Sequence, residues 1–585
     1  MSELLTPPTG FALSHAVGTT FTLTLEAALA VPLSFARRGL ASSTDDSVGV
    51  LSAVRQAVDR VDVFAQSGYI SLGASSDLVT VLEPMIHPVT TRRGLFHPKA
   101  WFLEFANGDE RRYRFVCSSR NLTTDRTWDA VVSLDGTPGD QPRPVNDGMV
   151  QLLGWLADEG RSTPRLADPR GIRIRSLADA WRTIEWEHPD HVRRLNVHVL
   201  GVGSNSLPQL EGTRALVVSP FVTGDGLARV RARRGGETTL VSRPDQLEKL
   251  APAILHETRI RVLDDFVDQA LADADTDADT PDEPRSADLT GLHAKIVVHD
   301  RAGGGSTMLI GSANATTPAW TTNVEVMVEV QGPTKQFGVG TISEALAPLL
   351  DDFVTDGGVA ETADEVAERE LDDALRRIAQ TRVSMRVMRD DPYAVEVWAE
   401  EEMRVPKGFI PSWRLLTQRE FVTSTIPAAD QPHTLGSMGL EQVTPFVVVS
   451  LSDAVGRRQQ TIVIAEVYDD VPGRADAIVA SHLTEPGAFA RFVRLLLFPQ
   501  DATALSEPGS VFTSFHSAFG AGVAEDGSGL MELLVRAAAT NHQGLTEIER
   551  VLRHFSPEES AQALPEGFAS VWESVIASVQ KGEQT

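Results

Sequence analysis

The chain has a single cysteine, Cys117, among 585 residues, which excludes an intrachain disulfide framework and a cysteine-rich zinc site. Nowhere do about 18 apolar residues run together, so no membrane-spanning helix is expected. The opening MSELLTPPTG lacks a basic stretch followed by an apolar run, so no secretion signal is read there. Together these absences give the expectation of a cytoplasmic protein with no membrane association. Positive charge is scarce as well. A net charge of −27 argues against passive nucleic-acid binding but leaves a local site open. Lysine is the rarest cation: six occur, and two of them, Lys99 and Lys295, fall in the motifs below. No Walker motif is present, so any ATP-driven step belongs to a partner.

What is present is the composition of a folded protein, 42% hydrophobic and 23% charged. Its length calls for roughly two to four domains. Residues 19–36 read as a strand and a helix, Val50–Phe64 as a helix and a strand, and Leu78–Leu82 as a strand, before His97. Residues 214–222 start a like series: a helix near Asp225–Arg233, a strand Thr238–Val241, a helix Pro244–His256 and a strand Ile260–Leu263, before His293. Thr20 to His97 spans 77 residues and Arg214 to His293 spans 79. Apolar strands alternating with helices indicate parallel α/β units, here in two like halves.

The expected division is 1–146 for the first half, 147–205 for a helical linker, 206–358 for the second half, 359–382 for a connecting helix and 383–585 for a C-terminal accessory region. In the linker, Trp155, Trp181 and Trp186 are expected to serve packing. In the accessory region, 443–452 and 460–468 read as sheet, and 486–498, 529–540, 545–554 and 567–580 as helices. Residues 264–288 hold ten Asp/Glu and one Arg, a solvated loop whose charge would compete with phosphate if it reached a nearby site.

Two motifs occupy like places in the two halves. The second half has GLHAKIVVHD, MLIGSANATT and TTNVEVMVEV, giving His293, Lys295, Asp300, Ser312, Asn314 and Glu325. The first has GLFHPKAWFLEF and VCSSRNLTTDRTWDAVVSL, giving His97, Lys99, Glu104, Ser119, Asn121 and Asp129. This arrangement resembles the phospholipase D superfamily pattern H-x-K-x4-D followed by G-S-x-N, and it covers roughly residues 15–335. The second copy is complete. In the first, Glu104 stands for Asp, Ser118 for Gly, and Asp129 for the downstream Glu. The resemblance implies two phospholipase D-like α/β halves related by a pseudo-twofold axis, plus a C-terminal α+β region.

These residue types suit phosphodiester chemistry. On a strand, His and Lys at i and i+2 share one face. Two such pairs place two imidazoles and two ammonium groups around one phosphate. One imidazole attacks phosphorus; the other protonates the leaving oxygen and then activates water. The lysines and the Asn121 and Asn314 amides stabilise the equatorial oxygens, and Asp129 and Glu325 are available to orient the imidazoles. The expectation is therefore a metal-independent phosphodiesterase with no cofactor. By the family resemblance His97 is the nucleophile. The competing argument is that the second motif, with both Asp300 and Glu325, orients His293 better. Outside the motifs, His87, His256 and His299 read as structural, Cys117 as a buried strand residue, and Gly303–Gly305 as a tight turn.

The motif strings resemble the compact bacterial nuclease branch of the superfamily. Residues 91–124 are locally basic, with Arg92, Arg93 and Arg120 as candidates to bind a nucleic-acid backbone. The favoured expectation is a nuclease on DNA or RNA, in a bacterial defence or DNA-processing system with a helicase or translocase partner. Two alternatives stand beside it: a hydrolase of phospholipids or other small phosphodiesters, and a weakly active scaffold or sensor subunit of a defence complex.

Overall fold

The computed structural model describes residues 2–35, 54–55, 57–73, 77–125, 127–158, 160–203, 207–233, 235–264, 291–388, 392–484, 486–497, 530–540, 542–565 and 567–582. Most of the acidic segment 264–288 lies outside the described residues.

The chain is α/β, built on two large sheets. The first contains β1 (Ala12–Thr20), β2 (Val61–Gln66), β3 (Ile86–Val89), β4 (Ala100–Asn107), β5 (Glu110–Ser118), β6 (Val131–Thr137) and β7 (Glu185–Trp186). Their order in the sheet is β7-β6-β5-β4-β1-β2-β3. The second contains β8 (Arg194–Leu200), β9 (Arg214–Val218), β10 (Glu237–Val241), β11 (Arg259–Leu263), β12 (Ile296–Asp300), β13 (Ser306–Gly311), β14 (Glu325–Gly332) and β15 (Leu350–Asp352). Its order is β8-β14-β13-β12-β9-β10-β11-β15. Apart from β15, which pairs antiparallel with β11 and has no counterpart in the first sheet, the two orders agree: a parallel β1-β2-β3 or β9-β10-β11 set, then an antiparallel run that starts with the strand following the motif lysine.

Sequence and structure part at three places. Leu78–Leu82, read as a strand, lies in a 3-10 helix, Asp77–Met85, and the strand is the adjoining β3. A short run of four apolar residues broken only by Thr80 does not distinguish the two states. The helix read over Pro244–His256 is two short ones, Pro244–Lys249 and Pro252–Leu255, because Pro252 cannot continue the first. The stretch 147–205 has its helices, α1 (Asp147–Leu156) and α2 (Asp168–Trp181), but it also contains β7, an edge of the first sheet, and β8, an edge of the second.

α1 and α2 form the filling between the sheets. One apolar cluster joins Leu152, Leu153, Ile174 and Trp181 to Phe102 and Phe115 of the first sheet and to Val197, Val326 and Val328 of the second. Trp181 is fully buried against the rings of Phe102, Phe115 and Trp186. Its truncation to Ala would cost about 3–5 kcal/mol. Trp155 is half-buried and stacks on Phe96, the residue before His97.

The C-terminal region contains a four-stranded sheet (His433–Met438, Tyr393–Ala399, Val383–Met388, Glu466–Tyr468) and a three-stranded one (Ile410–Leu415, Phe446–Ser452, Arg458–Ile464), followed by helices. It does not hang free. Phe489, Phe492, Leu534 and Ile548 share a core cluster with Ala16, Val63 and Leu103 of the first half. The connecting helix α3 (Ala363–Ala379), closed at its start by a capping box of Thr362 and Glu365, lies on the loop after β2. There the Ser67 hydroxyl donates to Ala379 O at 2.8 Å.

Candidate active site

His97 and Lys99 lie in the three residues before β4, and His293 and Lys295 in the three before β12. Each segment is held by the opposite half. The His97 N–H donates to Val324 O at 3.0 Å, and the Val324 N–H to Leu95 O at 2.9 Å. The His293 and Ala294 N–H groups donate to Trp128 O, where Gly291–Leu292 pairs in parallel with Thr127–Trp128. Gln66 and Asn323 complete the support: their side-chain oxygens accept from the N–H groups of Phe96 (2.6 Å) and Leu95 (3.0 Å).

The carboxylates follow the same crossing. His97 Nδ1 is 2.9 Å from Glu325 Oε2, and His293 Nδ1 is 2.9 Å from Asp129 Oδ1. Each acid also accepts from the serine of its own half, Ser312 for Glu325 and Ser119 for Asp129. The expectation that Glu325 orients His293 is therefore corrected: Glu325 holds His97. Because a hydrogen-bonded Nδ1 carries the proton, each neutral imidazole presents Nε2 as its free lone pair.

Both lysines are almost fully buried, and each Nζ donates to the carbonyl of the histidine two residues earlier, at 3.1 Å for Lys99 and 2.6 Å for Lys295. Burial brings Lys99 down to about 7 and Lys295 well below the ordinary lysine value. Burial, then the two lysine charges, hold the His97 imidazole at about 4 against the pull of Glu325. Burial and Lys295 lower His293 as well. Burial works to raise Asp129, but hydrogen bonds from His293, Thr127 and Ser119 together bring it below the usual carboxylate range. At neutral pH the unliganded site thus holds two neutral imidazoles.

Asn121 and Asn314 are buried, each two residues after the serine that bonds its half's carboxylate. Asn121 Oδ1 accepts from the Thr22 N–H at 3.4 Å, and Asn314 Oδ1 has no partner among the described residues. The flanking loops repeat a further device. The Thr20 hydroxyl donates to Thr22 O and accepts from the Leu122 N–H, just as the Ser219 hydroxyl donates to Phe221 O and accepts from the Ala315 N–H. The chain resembles the phospholipase D superfamily.

No family model and no curated protein matches the chain. Among solved structures, the phosphatidylserine synthase of Haemophilus influenzae Rd KW20 is 14% identical over 64% of this chain and 91% of its own, with a TM-score of 0.33. Yeast tyrosyl-DNA phosphodiesterase is 11% identical over 55% and 85%, with a TM-score of 0.32. The phospholipase D resemblance rests on the chain's own motifs and their placement.

The other candidate residues divide. Glu104 and Asp300 stand five residues beyond their lysines, roughly 16 Å away along a strand. Asp300 Oδ1 accepts from the Ser306 hydroxyl (2.8 Å) and the Val339 N–H (3.0 Å), while Glu104 Oε1 accepts from the Ser14 hydroxyl (2.8 Å). Arg92 and Arg93 are exposed on the turn before His97. That turn needs Gly94 in a positive-φ conformation, since a Cβ there would meet Thr322 O at 2.4 Å. Arg120 turns inward, 3.6 Å from Asp129. The basic stretch around the first motif is weaker than its sequence count: Arg111, Arg112 and Arg114 are paired with Glu104, Glu110 and Asp135.

His87 shares the buried Asp62 carboxylate with His15 and Arg170, His299 bonds Val230 O, and His256 is exposed. Cys117 is buried, and burial raises its thiol to about 12. Sequence reasoning missed Phe21, whose ring lies 4.8 Å from His97 and 5.6 Å from Lys99 Nζ. Behind it Tyr69 lies 4.3 Å from Phe21 and donates its hydroxyl to Asp372 of α3 at 2.5 Å. Nothing in the motif spacing signals either ring.

Proposed function

We propose that this chain is a phosphodiesterase working through a phosphohistidine, and that its substrate is nucleic acid. The observation carrying the reading is the crossed pair of His–carboxylate hydrogen bonds flanked by two buried lysines. Each element has a task. With the phosphate bound, its negative charge and Asp129 favour a protonated His293; His97 Nε2 then attacks phosphorus, a P–N bond forms as the P–O bond to the leaving oxygen breaks, and His293 Nε2–H gives that oxygen its proton. His293 then takes a proton from water, the hydroxide displaces His97, and the P–N electron pair returns to the imidazole. Glu325 stabilises the charge that His97 gains in the adduct. Lys99, Lys295 and the two asparagine amides offset charge on the equatorial oxygens, so fixed cations do the electrostatic work.

Exposed Arg92 and Arg93, on the turn leading to His97, support a polyanionic substrate. A helicase or translocase partner in a bacterial defence or DNA-processing system fits a nuclease without an ATP site of its own. The test is incubation of the purified protein with labelled single- and double-stranded DNA, RNA and a phospholipid vesicle, all in EDTA. Cleavage of a nucleic acid is expected. Cleavage of the lipid alone overturns the substrate, and hydrolysis that appears only on adding magnesium overturns the mechanism.

A further inference from the structure

A second cleft lies at the far end of the second sheet, and its shape follows from a difference between the halves. Arg114 stands five residues before Ser119, and Asp135 six after Asp129; Thr307 and Gln331 stand at the same offsets from Ser312 and Glu325. Both pairs are in register on their sheets. In the first half this place is filled: Arg114 bonds Asp135 at 2.7 Å and donates to the carbonyls of Leu4 and Thr6, which lie over it. In the second half no segment takes that position among the described residues. A cavity of about 600 Å³ opens there instead, a size suited to a small molecule.

The wall of the cavity is built. One face of the sheet is apolar near the catalytic end, at Val297, Leu309 and Met327, and turns polar one pleat further on, at Thr307, Glu329 and Gln331. Glu329 is buried, and its carboxylate accepts from His198 and from the Gln331 amide. Gln331 Oε1 in turn accepts from Arg301 Nη1 at 3.1 Å, which fixes one guanidinium at the rim. Arg194 and Arg233 also line the rim, so three arginines face two carboxylates, Glu211 and Glu329, within a chain of net charge −27. Arg301 is six residues beyond Lys295, roughly 20 Å along the strand, so this is not the catalytic centre.

We propose that this cleft binds a small phosphomonoester with a hydroxyl-bearing body, a nucleotide or a sugar phosphate. The guanidinium forks take the phosphate, and the Thr307 hydroxyl, Glu211 and Asn196 take the donors of the body. The proposal is independent of the catalytic reading.

The test is isothermal titration of the full chain with AMP, ribose 5-phosphate, inorganic phosphate and adenosine. One of the two esters should saturate a single site, and which one does so identifies the body; adenosine should not bind. Arg194→Ala combined with Arg301→Ala should weaken binding by about tenfold or more, with turnover unchanged, whereas His97→Asn should leave the affinity unchanged. Arg233→Glu, at an exposed position, gives the same reading should the double variant fail to fold. The proposal is overturned if neither ester saturates up to a few millimolar, or if the affinity follows His97 rather than the arginines.

Discussion

Glu325 Oε2 lies 2.9 Å from His97 Nδ1, although the two residues belong to different halves of the chain. The carboxylate that completes the second motif therefore serves the first motif's histidine, and the argument that favoured His293 as nucleophile loses its footing. Glu325→Gln should slow formation of the covalent adduct, lowering kcat by roughly 10²-fold or more. Asp129→Asn, like His293→Asn, should instead slow breakdown, so that an adduct on His97 accumulates with an aryl phosphodiester. Mass spectrometry of the quenched enzyme decides: an adduct on His293 in the Asp129→Asn protein reverses the assignment.

The lowered imidazoles give a pH dependence that differs between substrates. With an aryl leaving group, which departs without a proton, kcat/KM needs neutral His97 and the two charged lysines. It should rise through about 4, where His97 loses its proton, and fall at higher pH as the lysines, both lowered by burial, lose their charge, Lys99 at about 7. With an alkyl leaving group His293 must carry a proton. Its value is depressed in the free enzyme, so kcat/KM should already fall through the acidic range. Initial rates across pH with the two substrates make the comparison. One shared alkaline limb would show that His293 is not the proton donor.

Asp300 completes the H-x-K-x4-D pattern and yet lies at the distal end of β12, tying β13 and the 339–346 helix to it. Asp300→Ala leaves the buried Val339 N–H unpaired and should cost about 1–3 kcal/mol of stability. The kcat/KM of the folded protein should stay within a factor of about two, since the residue is remote from the phosphate. Urea titration alongside active-site-normalised rates separates the effects. A large rate loss at unchanged stability would place Asp300 in the chemistry.

Tyr69 links α3 to the site through Phe21. Tyr69→Phe keeps the ring but loses the hydroxyl bond to Asp372, so Phe21 covers His97 less tightly and water reaches the imidazole. The acid limb of kcat/KM should move up from about 4 toward the ordinary histidine value. Asp372→Asn should shift it in the same direction, and the double variant should add little to either. An unmoved limb in both would show that α3 does not reach the site through this pair.

What could be read from the sequence was local. His97/Lys99 and His293/Lys295 were visible because i and i+2 on an extended segment share a face, and the halves because their apolar runs are spaced alike. The crossing of Asp129 and Glu325 was not visible, since it depends on how the halves dock and no spacing within one half encodes that. Glu104 and Asp300 fit a pattern whose function is carried by a strand end, and only the strand's length reveals how far they stand from the phosphate. Phe21 and Tyr69 come from the β1 and β2 loops, joined to His97 by folding alone. The short β7 escaped notice because a two-residue strand is specified by its partner, β6, rather than by its own sequence.

The backbone bonds at Val324 and Trp128 make the chemistry a property of the seam between the halves rather than of either one. Neither half owns a complete His–carboxylate pair, so a polypeptide comprising one half could assemble one only by embracing a second copy of itself. In the intact chain the proposed activity would double as a gauge of docking: conditions that part the sheets at this seam should silence it while each sheet still keeps its strands.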